Sequence, residues 1–234
     1  MNQDTSNSID PKLVHIIPHT NMRKTVAKRL SESKRTIPHF YVTMQCNVTK
    51  LVQLRSERAL NGGVKASIND FVIHATARAL KRVSAMNAWW GDDAITRHTN
   101  VNLCIAIGTE RGLFTPVLRR ADEMTVEQLA VLTSEMIDKA KRSGFKTEDY
   151  QGGTFTVSNL GMYGVKEFAA IINPPQVGIL AIGAIEKSTS ATSNSIQPLH
   201  MMNLTVSADH RAVDGVTVAQ FLKEIKAFLE NPND

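Results

Sequence analysis

Asp209-His210-Arg211-Ala212-Val213-Asp214-Gly215 joins an apolar run at residues 204–206 to an amphipathic one at residues 216–229. The first run reads as a strand and the second as a helix, so the seven residues form a strand-to-helix junction, where side chains face a cleft. Histidine is the one side chain whose unperturbed pKa, about 6.5, lets it take and return a proton near neutrality. A carboxylate follows it four residues on. Asp214 can also cap the helix, because a short acceptor bonds the free N–H groups of a first turn while Gly215 permits tight backbone geometry. The stretch alone therefore leaves two readings: a catalytic histidine loop, or a helix cap beside a surface histidine.

Upstream, apolar residues at Met22, Val26, Ala27 and Leu30 recur at helical spacing with basic residues between them, and Ile37-Pro38 ends the pattern. Residues 40–48 alternate as a strand. Residues 50–60 read as a second helix stopped by Asn61-Gly62-Gly63, and Ser67-x-x-Asp70 opens a third, through Val83, with a capping-box pattern. Strands are expected at 101–107 and 113–118, then a helix from Thr125-x-x-Gln128 to about Lys141. The second half reads mostly as strand: 154–157, 168–172, 177–185 and 199–206, punctuated by Asn173-Pro174-Pro175 and by a Ser/Thr/Asn-rich hairpin tip at 188–195. Helices and strands in mixed order, with no regular βα alternation, predict an α/β two-layer sandwich with a mixed sheet. Residues 1–12 read as a flexible tail or linker remnant, and residues 13–234 as the folded domain.

A chain of 234 residues, 42% apolar, can bury a sizeable core. Its net charge of +5 is concentrated in Arg23, Lys24, Lys28, Arg29, Lys34 and Arg35. Such a stripe suits an anionic cofactor or a partner's acidic surface; without an accompanying RNA- or DNA-binding motif, nucleic acid is not expected as a partner. Cys46 and Cys104 each lie in a strand-like run, which suits buried, reduced thiols rather than a disulfide scaffold, and neither has metal-ligand spacing. No apolar stretch reaches 18 residues, so a membrane span is not expected.

Seven stretches, in order, resemble one family: the catalytic cores of the dihydrolipoyl acyltransferases, the E2 components of 2-oxoacid dehydrogenase complexes. They are residues 21–30 (NMRKTVAKRL), 37–41 (IPHFY), 67–71 (SINDF), 112–117 (GLFTPV), 152–162 (GGTFTVSNLGM), 172–176 (INPPQ) and 209–215. The resemblance implies the trimeric, chloramphenicol-acetyltransferase-like fold, with an active site shared between neighbouring subunits. It also implies coenzyme A and a lipoyl group as substrates, and E1 and E3 components as partners. The lipoyl attachment is expected on a longer parent or a separate chain. The location is then the bacterial cytoplasm or the mitochondrial matrix. The stretch at 37–41 is most like the pyruvate-complex members, so acetyl is the expected acyl group. Two departures are noted: Ser207-Ala208 in place of a common Ser-Cys pair, and an ending at residues 230–234 without the short apolar tail of the cage-forming members. From that ending a free homotrimer is expected.

The chemistry follows from the residues. Exchange of an acyl group between two thiols is nearly thermoneutral and needs only a base and an oxyanion site. A free thiol, with pKa near 8.5, is only a few per cent thiolate at neutral pH, so a neutral imidazole that removes the proton as sulfur attacks is the main requirement. His210 is the candidate base. By resemblance, Ser158 donates to the oxyanion, while Arg55, Ser67 and Asn159 contact coenzyme A. Asp214 is expected to hold the loop by capping and by pairing with an arginine, Arg23 or Arg29. Ser158-Asn159 also reads as a simple turn pair, and Arg55 as part of a solvated helix face. Two other functions fit the sequence: a non-catalytic scaffold subunit, and a stand-alone acyltransferase acting on a small alcohol. His39, His74, His98 and His200 carry no accompanying pattern and read as core or surface residues.

Overall fold

The computed structural model describes residues 15–60, 64–110, 112–192 and 195–232. The 1–12 tail, the expected start of order at Leu13 and the stop at Asn61-Gly62-Gly63 lie outside them. Five helices are described: α1 (Asn21–Thr36), α2 (Thr49–Leu60), α3 (Ile68–Arg82), α4 (Val126–Arg142) and α5 (Gly215–Glu230). The principal sheet is built from β1 (His39–Asn47), β4 (Leu103–Ile105), β7 (Val117–Leu118), β8 (Phe155–Asn159), β9 (Gly178–Thr192) and β10 (Ser195–Asp209), in the order β1-β10-β9-β8-β4-β7. Pairing is antiparallel across β1, β10 and β9, parallel from β9 through β8 to β4, and antiparallel again at β7. The sheet is therefore mixed, as expected. Two hairpins stand apart from it: β2 (Ala88–Trp90) with β3 (Ile95–Arg97), and β5 (Ile107–Thr109) with β6 (Gly112–Phe114).

The layers follow from side-chain alternation. One face of the sheet presents Cys46, Leu204, Val206, Leu180, Phe155 and Val157 to Phe71 and Leu80 of α3 and Phe221 and Ile225 of α5, all buried in one core. A strand side chain points to alternate faces, so the residues between them emerge opposite, and there the sheet is polar: Thr156, Thr205, Ser207 and Asp209 are buried on that side. The backbone of residues 165–166 crosses this face so closely that a Cβ on Gly183 would lie 1.9 Å from the Lys166 carbonyl oxygen. Ala184 N–H donates to Val165 O there. α1 is the outlier. Ser33 is its one buried residue, while Met22, Val26 and Leu30 on its apolar stripe are exposed.

Capping boxes form at Ser67 with Asp70 and at Thr125 with Gln128, and α3 and α4 begin where those patterns placed them. Three expectations are corrected. Residues 168–172 form no strand, because the Ile172 peptide groups bond side chains, and Pro174 and Pro175 beyond it have no N–H for a ladder. The runs 101–107 and 113–118 each break in two, with β5 and β6 leaving the main sheet as their own hairpin. Finally, β9 and β10 continue to Thr192 and from Ser195 instead of ending at the Ser/Thr/Asn-rich stretch; residues 193–194 lie outside the described part.

Candidate functional site

The loop after β10 is wound about Asp209. Its carboxylate is fully buried and takes a bidentate pair from Arg211, Nε to Oδ1 at 3.0 Å and Nη2 to Oδ2 at 2.7 Å. The N–H of Arg211 also donates to Oδ1, and those of Ala212 and Val213 donate to the Asp209 carbonyl. The Arg211 guanidinium lies 4.6 Å over the Trp90 ring of β2, a cation–π contact that fixes the outer side of the loop. The hydrogen bonds that Arg211 donates to the Asp209 carboxylate raise the Arg211 pKa above its ordinary value. The arginine–carboxylate pair of this loop is thus Arg211 with Asp209. This corrects the expectation of Arg23 or Arg29 with Asp214, since Asp214 has no such ion pair among the described residues.

Asp214 is the N-cap of α5, accepting from the Thr217 N–H at 2.8 Å. That backbone bond, then the Thr217 side chain and more weakly His210, hold its carboxyl below the ordinary range. His210 itself is exposed, seated by its backbone N–H on the Pro38 carbonyl at 3.2 Å and by its ring against Phe40, centroids 4.4 Å apart. Beside the loop opens a cavity of about 500 Å³, lined among others by Arg29, Trp90, Asp92, Pro175 and Arg211.

The other candidate residues gather elsewhere. Ser158 lies near the C-terminal end of β8, in one cross-strand row with Ala181, Thr205 and Thr43 on the polar face. Its hydroxyl has no hydrogen-bond partner among the described residues. Asn159 donates from Nδ2 to Asn69 Oδ1 at 3.0 Å and accepts from the Gly161 N–H at 2.8 Å, tying the strand end to the first turn of α3. Ser67, the N-cap of that helix, gives its N–H and its hydroxyl to Asp70 Oδ2, both at 2.7 Å. Arg55, an exposed residue, reaches from α2 to donate Nε to the Ala66 carbonyl at 3.3 Å. Arg55, Ser67, Asn159 and Ser158 are thus brought to one edge of the molecule.

His210 is not at that edge. Ser158 is level with Thr205, five residues short of His210 along β10 and two strands away. At about 3.3 Å per residue and about 4.8 Å per strand, the separation is about 17 Å along the strands and about 10 Å across them. Within one chain, therefore, the two groups of candidate residues cannot touch a common atom.

Beneath β8 lies a buried network that the sequence did not reveal. Thr156 Oγ1 donates to Gln176 Oε1 at 2.5 Å, and Gln176 Nε2 donates to the Gly153 carbonyl at 3.0 Å and to Cys104 Sγ at 3.2 Å. A Cβ on Gly153 would lie 2.1 Å from that sulfur, so the glycine is required by close approach. Both cysteines are free and buried, and burial pushes the Cys46 thiol up to about 12. Trp90 and Phe40 carry no functional motif of their own in the sequence. β2 is too short to read from periodicity, whereas the alternation at residues 40–48 did place Phe40 in a strand. Among the described residues, no group of three His, Cys, Asp or Glu could hold a metal ion, and no helix is long and apolar enough to cross a membrane.

Residues 11–234 match the family described as 2-oxoacid dehydrogenases acyltransferase (catalytic domain). Over 229 residues the chain is 44% identical to the dihydrolipoyllysine-residue acetyltransferase component of the pyruvate dehydrogenase complex of Rickettsia bellii, covering 96% of this chain and 55% of that protein. The chain spans about half the length of the curated relatives it matches. Among solved structures, the cubic core of the pyruvate dehydrogenase multienzyme complex superposes with TM-score 0.90 at 27% identity, covering 100% of this chain and 97% of that one. The dihydrolipoamide acetyltransferase of Azotobacter vinelandii, studied for the role of a serine, a histidine and an asparagine in its catalytic mechanism, superposes with TM-score 0.88 at 28% identity, covering 94% and 93%. A chloramphenicol acetyltransferase shares the fold, with TM-score 0.56 at 13% identity over 92% of this chain and 99% of that one.

Proposed function

We propose, from the premise that the chain belongs to the 2-oxoacid dehydrogenase acyltransferase family, that it moves an acetyl group between the sulfurs of coenzyme A and dihydrolipoamide. The observation that carries this reading is a pair of spacings. In the Azotobacter protein the three residues under study are a serine, a histidine 52 residues later and an asparagine four beyond that. Ser158, His210 and Asp214 repeat both intervals. The substitution of Asp for Asn keeps a side-chain oxygen that caps α5, because either residue accepts from a first-turn N–H.

In this mechanism the His210 imidazole takes the proton of the attacking thiol while its sulfur bonds the thioester carbon. The carbonyl oxygen becomes an anion, which the Ser158 hydroxyl of a neighbouring copy stabilises. The old C–S bond then breaks, and His210 returns the proton to the departing sulfur. A neighbouring copy is required because the two half-sites of one chain lie too far apart, and this supports a homotrimer as the smallest active unit. Arg55, Ser67 and Asn159 sit beside Ser158, so coenzyme A enters from that edge and dihydrolipoamide from the side of His210. The domain comprises residues 13–234. The lipoyl group is carried on a longer parent or a separate chain, with E1 and E3 components as further partners, in the bacterial cytoplasm or the mitochondrial matrix.

Acetyl transfer from acetyl-CoA to free dihydrolipoamide, measured beside a panel of small alcohols, tests the reading. Transfer to the dithiol and none to the alcohols is expected. Preference for an alcohol would make the protein a stand-alone acyltransferase, and no transfer to either would make it a scaffold.

A further inference from the structure

We propose that His39 is a positioning residue for His210, through two hydrogen bonds that only a neutral imidazole with its proton on Nδ1 can make; the proposal rests on His210 being the base. The Ile172 N–H donates to His39 Nε2 at 3.1 Å, so that nitrogen carries no proton. His39 Nδ1 lies 2.9 Å from the Ile37 carbonyl, which can only accept, so Nδ1 donates. The two partners together select one tautomer and one ring orientation.

The turn held in this way is the seat of the base. Pro38, between Ile37 and His39, supplies the carbonyl that accepts the His210 N–H, and Phe40, the next residue, supplies the ring packed on the imidazole. The backbone adds the His39 N–H to the same Ile37 carbonyl at 2.9 Å and the pairing of His39 with Asp209 at the start of β1, neither of which reaches residue 172. Pro38 has no N–H to give, and the N–H of Ile37 is spent on closing α1 at the Ser33 carbonyl. The ring of His39 ties the turn to residue 172, whose own carbonyl accepts from Ser33 Oγ at 2.6 Å. Ser33 is the buried residue of α1, so one imidazole joins the end of α1, the 172 segment and the turn under His210. Ile37, Ile172 and Ile179 close over this junction as a small separate core.

Loss of the ring should let the base drift without unfolding the domain. A displacement of about 1 Å costs about 10²-fold in rate, so His39→Ala is expected to lower kcat about 10- to 100-fold. The KM for coenzyme A should stay within about two-fold, since its proposed contacts lie at the other half-site. His39→Asn, whose amide nitrogen falls near the Nδ1 position and donates to Ile37, should recover most of kcat. His39→Gln, which offers an acceptor to Ile172 but no donor to Ile37, should recover less. Sedimentation and thermal melting establish that each variant is folded and assembled. Wild-type kcat in His39→Ala, or rescue by Gln and not by Asn, overturns the proposal, the latter because the ring would then serve the 172 segment and not the turn. Should the Ala variant not fold, the Asn and Gln pair decides alone. His210→Ala in the same assay separates the two levels: an inactive His210→Ala beside a fully active His39→Ala sinks only the role of His39, whereas an active His210→Ala sinks the base itself.

Discussion

His210 has its backbone bonded to Pro38, one ring contact on Phe40 and the rest of the imidazole open to solvent, the state in which a base can meet an incoming thiol. His210→Ala should reduce turnover by about 10²–10⁴, the range for loss of a general base, with mass in solution unchanged. Ser158, whose hydroxyl has no partner among the described residues, is free to donate where charge develops. Its change to Ala should lower kcat about 10²–10³-fold with little effect on coenzyme A affinity, because such a donor acts in the transition state; an effect confined to affinity would make it a binding residue. Asp214 carries a pH signature. Its folded pKa is depressed by the Thr217 bonds, so the cap's contribution is full above the unfolded value of about 3.9 and is lost as pH falls through the folded pKa. In Asp214→Asn, the fall in unfolding free energy as pH drops below about 3.9 should lose this part of its slope; an unchanged slope would mean the carboxylate is not held by the cap.

Among the elements, β8 is closely held, because Gly153 just before it packs against Cys104 and Gln176 spans from Thr156 to both. Gly153→Ala forces a Cβ into that sulfur and should destabilise by about 1–3 kcal/mol, the range for overpacking. It should also lower activity, since Ser158 lies on the same strand. Chemical denaturation beside the acetyl-transfer assay checks both effects. The thiols give a second measurement. Burial raises both, Cys46 to about 12, and a thiolate is the reactive form. Alkylation at pH 8 should therefore leave both unmodified until the domain unfolds.

For the molecule as a whole, the separation of Ser158 from His210 has a direct consequence. If neighbouring copies share a site, two individually inactive variants complement each other. Co-assembled His210→Ala and Ser158→Ala chains should recover about one quarter of wild-type activity, the chance that random mixing in a closed ring sets the intact partners at one interface. Mixtures that stay inactive despite proven co-assembly would place both groups in one chain and defeat the shared site.

Much of the local structure was written in the sequence by itself. The capping boxes at Ser67 and Thr125, the alternation at residues 40–48 and the cap at Asp214 depend on partners three or four residues away or on a period of two, and such signals survive in a linear reading. The seven family stretches likewise point to the family to which the chain belongs. Tertiary structure decided what depends on distant partners. Arg211 and not Arg23 or Arg29 forms the ion pair of the histidine loop, with Asp209, because the turn folds the guanidinium back over Trp90. Residues 168–172 lost their strand because Ser33 and His39, more than 130 positions away in the chain, took the peptide groups of Ile172. The same holds for the gap between the two half-sites, since strand order and register set that distance and neither is encoded within the span of a single motif.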